Sequence, residues 1–205
     1  MARVPLLNPS DLSEADRPLL YPGPVYRLEP RHAGSAAANA DKAKSPANIY
    51  RALAHSPDLL RHWSVFGRWL GDGCQLDPRL RELVTLQVGY LTATPYQWTH
   101  HVKSGRNAGV TDADIRAVMA ATAGESHKLD EVETLVLTAA REITTERRMG
   151  EDTWDKLLAH LGRARLIDLT VVIAHVNSVA RILGTLGIEP EPDYESVLKE
   201  FPLPA

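Results

Sequence analysis

The sequence predicts an all-α protein, a bundle of seven or eight helices with an extended N-terminal arm. Three observations predict it. Apolar residues recur at i, i+3, i+4 spacing in at least four separate stretches. Pro, Gly and Asp punctuate those stretches at helix-start and helix-stop positions. No stretch alternates apolar and polar residues as a half-buried strand does.

Residues 1–47 differ from the rest. Seven prolines and the small polar run Gly34 to Ala40 leave room only for a short turn at Asp11 to Asp16. Val4, Leu6, Leu7, Leu19, Leu20, Tyr21, Val25 and Tyr26 are too apolar for a free tail, so the arm is expected to pack on its own core or on a neighbouring subunit. Asn48 to Ala54 reads as a short helix. Ser56-Pro57 opens the next, with Leu59, Leu60, Trp63, Phe66 and Leu70 inward, and Gly71-Asp72-Gly73 ends it.

Asp77-Pro78 starts the third helix, Asp as N-cap and Pro where its missing N–H costs nothing. Thr94-Pro95 stops it and starts the fourth. Thr111-Asp112-Ala113-Asp114 is a capping-box-like start. Asp130 to about Thr145 is amphipathic. Asp152 to Leu161 is short and ends at Gly162. Ala164 to Leu186 is long and apolar, but Asp168, His175, Asn177 and Arg181 interrupt it. It therefore reads as a core helix and not a membrane span. Asp193 to Glu200 adds a last turn or two. The expected domains are the arm at 1–47, a helical domain at 48–188 and a tail at 189–205.

The chain is 44% hydrophobic and 24% charged, with a formal net charge of -3. No Lys/Arg block points to nucleic acid or to an anionic membrane surface as partner. The single cysteine, Cys74, excludes an intrachain disulfide, and the N-terminus shows no secretory signal. A cytoplasmic protein is expected. There is no metal-ligand motif, no Gly-rich phosphate loop and no GxSxG elbow, so neither a metal nor a cofactor is expected.

Chemistry concentrates between Leu76 and Ala108, around Glu82, Thr94, Tyr96, Gln97, Trp98, His100 and His101. This stretch resembles the core of the carboxymuconolactone decarboxylase and AhpD-like family. Arg81-Glu82-Leu83, Tyr96, Trp98, His101 and Gly109-Val110-Thr111-Asp112 carry the likeness. AhpD-type peroxidases have a glutamate, then twelve residues on a Cys-x-x-Cys pair, then a histidine four residues after the second cysteine. Here Glu82 and His101 keep that spacing, and Thr94 and Gln97 stand where the cysteines would be.

The resemblance implies an AhpD-like bundle and a cofactor-independent, lyase-like enzyme of aromatic catabolism. Its substrate would be a small molecule, a carboxylated lactone or unsaturated acid. It also implies a homo-oligomer, a trimer or hexamer. His101 would transfer a proton, with Glu82 fixing its tautomer. Tyr96 or Gln97 would stabilise an oxyanion, Thr94 and Trp98 would line the pocket, and Arg181 with Asn177 would hold a carboxylate.

Each residue also has a structural reading. His101 is then a hydrogen-bonded core histidine, and Glu82 is paired with Arg79 or Arg81. Tyr96 is a core or interface tyrosine, Trp98 is core, and Arg181 is paired with Asp168 or Glu82. Two rival functions stand beside the enzyme: an AhpD-like peroxidase, opposed by the lone cysteine, and a non-catalytic helical oligomer that binds a small molecule or a protein. Counted in helical rise from Thr94-Pro95, Glu82 and His101 are offset by some two turns, so their contact is an open question at this level.

Overall fold

The computed structural model describes residues 2–21 and 45–204. Among them are eight α-helices and no strand: α1 (Asn48–Leu53), α2 (Pro57–Arg68), α3 (Pro78–Leu91), α4 (Pro95–Asn107), α5 (Asp112–Ala123), α6 (Glu131–Glu146), α7 (Glu151–Leu186) and α8 (Glu195–Glu200). The chain divides into two compact units. One holds residues up to Cys74 together with Leu186–Glu191, and the other holds Gln75–Thr185 with Pro192–Ala205.

In the first unit the arm is tied down by backbone acceptors. Arg51 of α1 donates to the carbonyls of Leu6 and Leu7 and to the Asn8 side chain, at 3.0 to 3.1 Å. Leu12 and Leu20 are buried. Within Asp11 to Asp16 the expected turn forms, the Ser13 carbonyl accepting from the N–H groups of Asp16 and Arg17 at 3.0 and 3.1 Å, and two further turns flank it at Pro9–Asp11 and Arg17–Leu20, each with a proline at N1 or N2, where a fixed φ favours a turn. Val25 and Tyr26 lie outside the described residues. A single π-helical turn, Trp69–Gly73, follows α2.

The second unit carries the site. Asp77 caps α3, accepting from the N–H groups of Arg79 and Leu80, a contribution of about 1 kcal/mol. The Thr111–Asp114 capping box forms at α5, and Asp130 with Glu133 makes another at α6. Arg79 joins these starts. It donates to Asp114 at 2.8 Å, to Glu133 at 2.6 Å and to the Gly109 carbonyl at 2.8 Å. The Asp114 bond and the Glu133 charge hold the Arg79 guanidinium protonated against the cost of burial.

The core of this unit joins Leu83 and Leu86 of α3, Trp98 and Val102 of α4, Ile115 and Val118 of α5, Leu137 of α6, and Phe201 from beyond α8. Trp98 is wholly buried, and its indole N–H donates to the Phe201 carbonyl at 2.8 Å. Gly89 lets α4 approach α3 closely: a Cβ there would stand 3.4 Å from the backbone nitrogen of Trp98. α7 is long and apolar enough to cross a membrane by length and composition. Here Leu166, Leu169, Val172, Ile173, Ala180 and Leu183 are buried within the structure. Gly162, at φ 73°, breaks it into two helical stretches, at the glycine where the sequence predicts the stop.

Candidate functional site

α3 stops at Leu91, one turn earlier than the Thr94-Pro95 signal suggests. Ala93 takes the left-handed conformation at φ 45°. Its N–H reaches the Tyr90 carbonyl, and the Thr94 N–H reaches that of Gly89, both at 3.1 Å. This is a Schellman motif with alanine where glycine is usual. The Thr94 hydroxyl bonds the Thr92 hydroxyl at 2.9 Å, so Thr94 builds the break itself.

The early stop resolves the offset between the two candidate groups. Measured from the real helix ends, Glu82 lies about 13.5 Å before the break and His101 about 9 Å after it, at 1.5 Å per residue. Less than one turn separates them, and their side chains span it. His101 Nδ1 and Glu82 Oε2 are 2.8 Å apart. The Glu82 side chain is 2% exposed and that of His101 is 24% exposed. The carboxylate thus sits in the interior holding one ring nitrogen, which leaves Nε2 for chemistry. Arg79 is engaged elsewhere, so it does not compete for Glu82.

A third group joins the pair from α7. His175 is half-buried, and its pKa falls from the ordinary value near 6.5 to about 4, through burial first and then the charge of His101. It is a neutral imidazole at pH 7. Sequence reasoning did not place His175 here. Its only signal was a titratable side chain within the most apolar run of the chain.

Gln97 lies one turn before His101 on the same face of α4. It is 2% exposed, and neither its amide nitrogen nor its amide oxygen has a hydrogen-bond partner. Leaving such groups unpaired in the interior costs about 1–3 kcal/mol each.

The remaining predicted residues stand apart from this cluster or are occupied. Tyr96 is buried at 5% exposure, not a rim residue; its ring stacks on His100 at 4.1 Å, and His100 stacks on Tyr194 at 4.1 Å. The tail supplies Tyr194, which no local pattern could reveal. Trp98 belongs to the core. Asn177 donates to the Thr144 hydroxyl at 2.9 Å and to the Ile173 carbonyl, fastening α7 to α6. Arg181 is exposed on α7. Its guanidinium donates to the Asn177 carbonyl at 2.7 Å and to Asn177 Oδ1 at 2.9 Å, because from the outer face of α7 its long side chain folds back one turn. Among the described residues no group of three or more His, Cys, Asp or Glu side chains could hold a metal ion.

A carboxylate-oriented histidine in a helical hairpin, with a second, neutral histidine close by, is an arrangement able to hold and move a proton. Residues 57–129 match the carboxymuconolactone decarboxylase family. No curated protein sequence matches the chain.

Solved structures share the fold. An uncharacterized peroxidase-related protein from Ralstonia eutropha JMP134, described as an alkylhydroperoxidase AhpD core, superposes with a TM-score of 0.72 at 18% identity, covering 94% of each chain. An uncharacterized peroxidase-related protein from Silicibacter sp. TM1040 gives 0.66 at 17% identity, over 83% of this chain and 91% of its own. A protein of unknown function from Agrobacterium tumefaciens gives 0.60 at 20% identity, over 68% of this chain and 94% of its own. At these identities the likeness is one of fold, and the fold is AhpD-like.

Proposed function

We propose that this protein is a cofactor-independent, carboxymuconolactone decarboxylase-like enzyme that uses Glu82 and His101 as an acid–base pair on a small carboxylated lactone or unsaturated acid. The observation that carries the reading is the 2.8 Å contact between a buried Glu82 carboxylate and His101 Nδ1. In the reaction, the bond to the departing carboxylate carbon breaks. Its electron pair passes into the conjugated system and onto the carbonyl oxygen, and CO2 leaves. A proton from His101 Nε2 then reaches the substrate carbon, and solvent restores it. Glu82 keeps the ring oriented throughout.

The peroxidase-related solved structures raise the other reading. It requires a Cys-x-x-Cys cycle, and Thr94 and Gln97 occupy those positions. Cys74 is in the first unit and is the chain's one thiol.

The experiment measures CO2 release and absorbance change over a panel of carboxylated lactones and unsaturated acids. Wild type runs beside His101→Ala and Glu82→Gln, with circular dichroism as the check on folding. Loss of a single acid–base group is expected to lower turnover by about 10²- to 10⁴-fold in folded variants. Hydroperoxide consumption that survives blocking of Cys74, with no CO2 from any acid, would sink the decarboxylase reading.

A further inference from the structure

Among the described residues, several buried polar atoms lack hydrogen-bond partners. His127 and Arg141 each leave one nitrogen unpaired and are themselves half exposed. Gln97 is different: both of its polar atoms are unpaired, in a side chain 2% exposed. Its position is defined on two sides. It shares a face of α4 with His101, one turn away. Its Nε2 lies against Gly89 of α3, 3.6 Å from where a Cβ would be. Gly89 is two turns after Glu82 on α3, so it shares that residue's face. The unpaired amide and the Glu82–His101 pair therefore occupy one seam between α3 and α4. The His101 side chain, 24% exposed, marks the solvent-facing end of that seam.

A carboxamide presents a donor and an acceptor side by side. An anion would satisfy the N–H and repel the carbonyl oxygen. A plain ketone or ester would satisfy the N–H and leave the oxygen unpaired. An uncharged edge carrying both an acceptor and a donor satisfies both. Leucine or methionine would fill the same volume without an unpaired amide, and glutamine is what the seam holds.

We infer that Gln97 is the specificity-determining residue of this site, and that it receives an uncharged ligand edge with adjacent acceptor and donor, of the cis-amide, lactam or protonated carboxyl type. The inference rests on the reading of the seam as the substrate site. It narrows that substrate to a molecule whose group at Gln97 is neutral, with any carboxylate lying toward His101.

Three probes of one ring size test it on the full chain: δ-valerolactam, cyclohexanone and tetrahydropyran-2-carboxylate. Each is titrated into ¹⁵N-labelled protein while the Gln97 side-chain amide resonances are followed. The lactam is expected to shift those resonances and to bind about tenfold or more tighter than the ketone or the anion, the discrimination that one unpaired buried group supplies. Gln97→Met, of similar shape, abolishes the preference, and His101→Ala leaves it in place. Equal binding of lactam and ketone overturns the inference, as does an unchanged preference in Gln97→Met or a Gln97 amide that no probe moves. The wild-type titration decides even if the variant does not fold. If His101→Ala retains turnover while the Gln97 preference holds, the acid–base reading falls and this one stands.

Discussion

His175 shows how one side chain ties chemistry to stability. Burial and the charge of His101 hold it neutral in the folded protein, with a pKa near 4 against an ordinary 6.5. As pH falls, the unfolded chain takes this proton first. The stabilisation is therefore complete above about pH 6.5 and is lost between 6.5 and 4, by about 3 kcal/mol at about 1.36 kcal/mol per unit. Urea unfolding of wild type should weaken across that window, while His175→Gln should give a flatter profile. An identical slope in the two proteins would mean that another group titrates there. The same neutrality gives His101 a neighbour that adds no second charge beside it at pH 7.

At the scale of the element, the α3–α4 break decides whether the site exists. Ala93 stands at φ 45°, where an L side chain costs about 1–2 kcal/mol. Glycine removes that strain but adds freedom to the unfolded chain. Ala93→Gly should raise stability by about 0.5–1 kcal/mol, read as a Tm increase of a few degrees. A fall in Tm would show that the Ala93 methyl packs favourably enough to outweigh the strain.

Most of the helices were legible in the sequence because each is bounded by local chemistry: Asp77-Pro78, Thr111 to Asp114, and Gly162. The early stop at Leu91 was not, since an alanine in the left-handed region carries no sequence signal. That one turn separated an open question about Glu82 and His101 from a 2.8 Å contact. His175 and Tyr194 were illegible for another reason. They reach the site stretch from 74 residues after His101 and from 94 residues after His100, and nothing local records such encounters.

Across the molecule, acid acts in stages. Asp114 is held down to about 2, first by its bond from Arg79 and then by those from Thr111. Its contribution is present above about pH 4 and is lost as pH falls through 2, below the window of His175. Asp114→Asn should cost about 1–2 kcal/mol at pH 7, and the difference from wild type should vanish near pH 2. A constant difference down to pH 2 would assign the loss to packing.

The two units do not share this sensitivity equally, because both groups belong to the second. That unit also joins contacts of very different reach. Glu82 and His101 are 19 residues apart, whereas Trp98 and Phe201 are 103 apart. Closing the longer loop costs only about 1.5 kcal/mol more in chain entropy, yet it must await a segment synthesised much later. During translation Glu82 and His101 are both made well before the segment that bonds to Trp98, so the short-range contact can form while that part of the interior is still open.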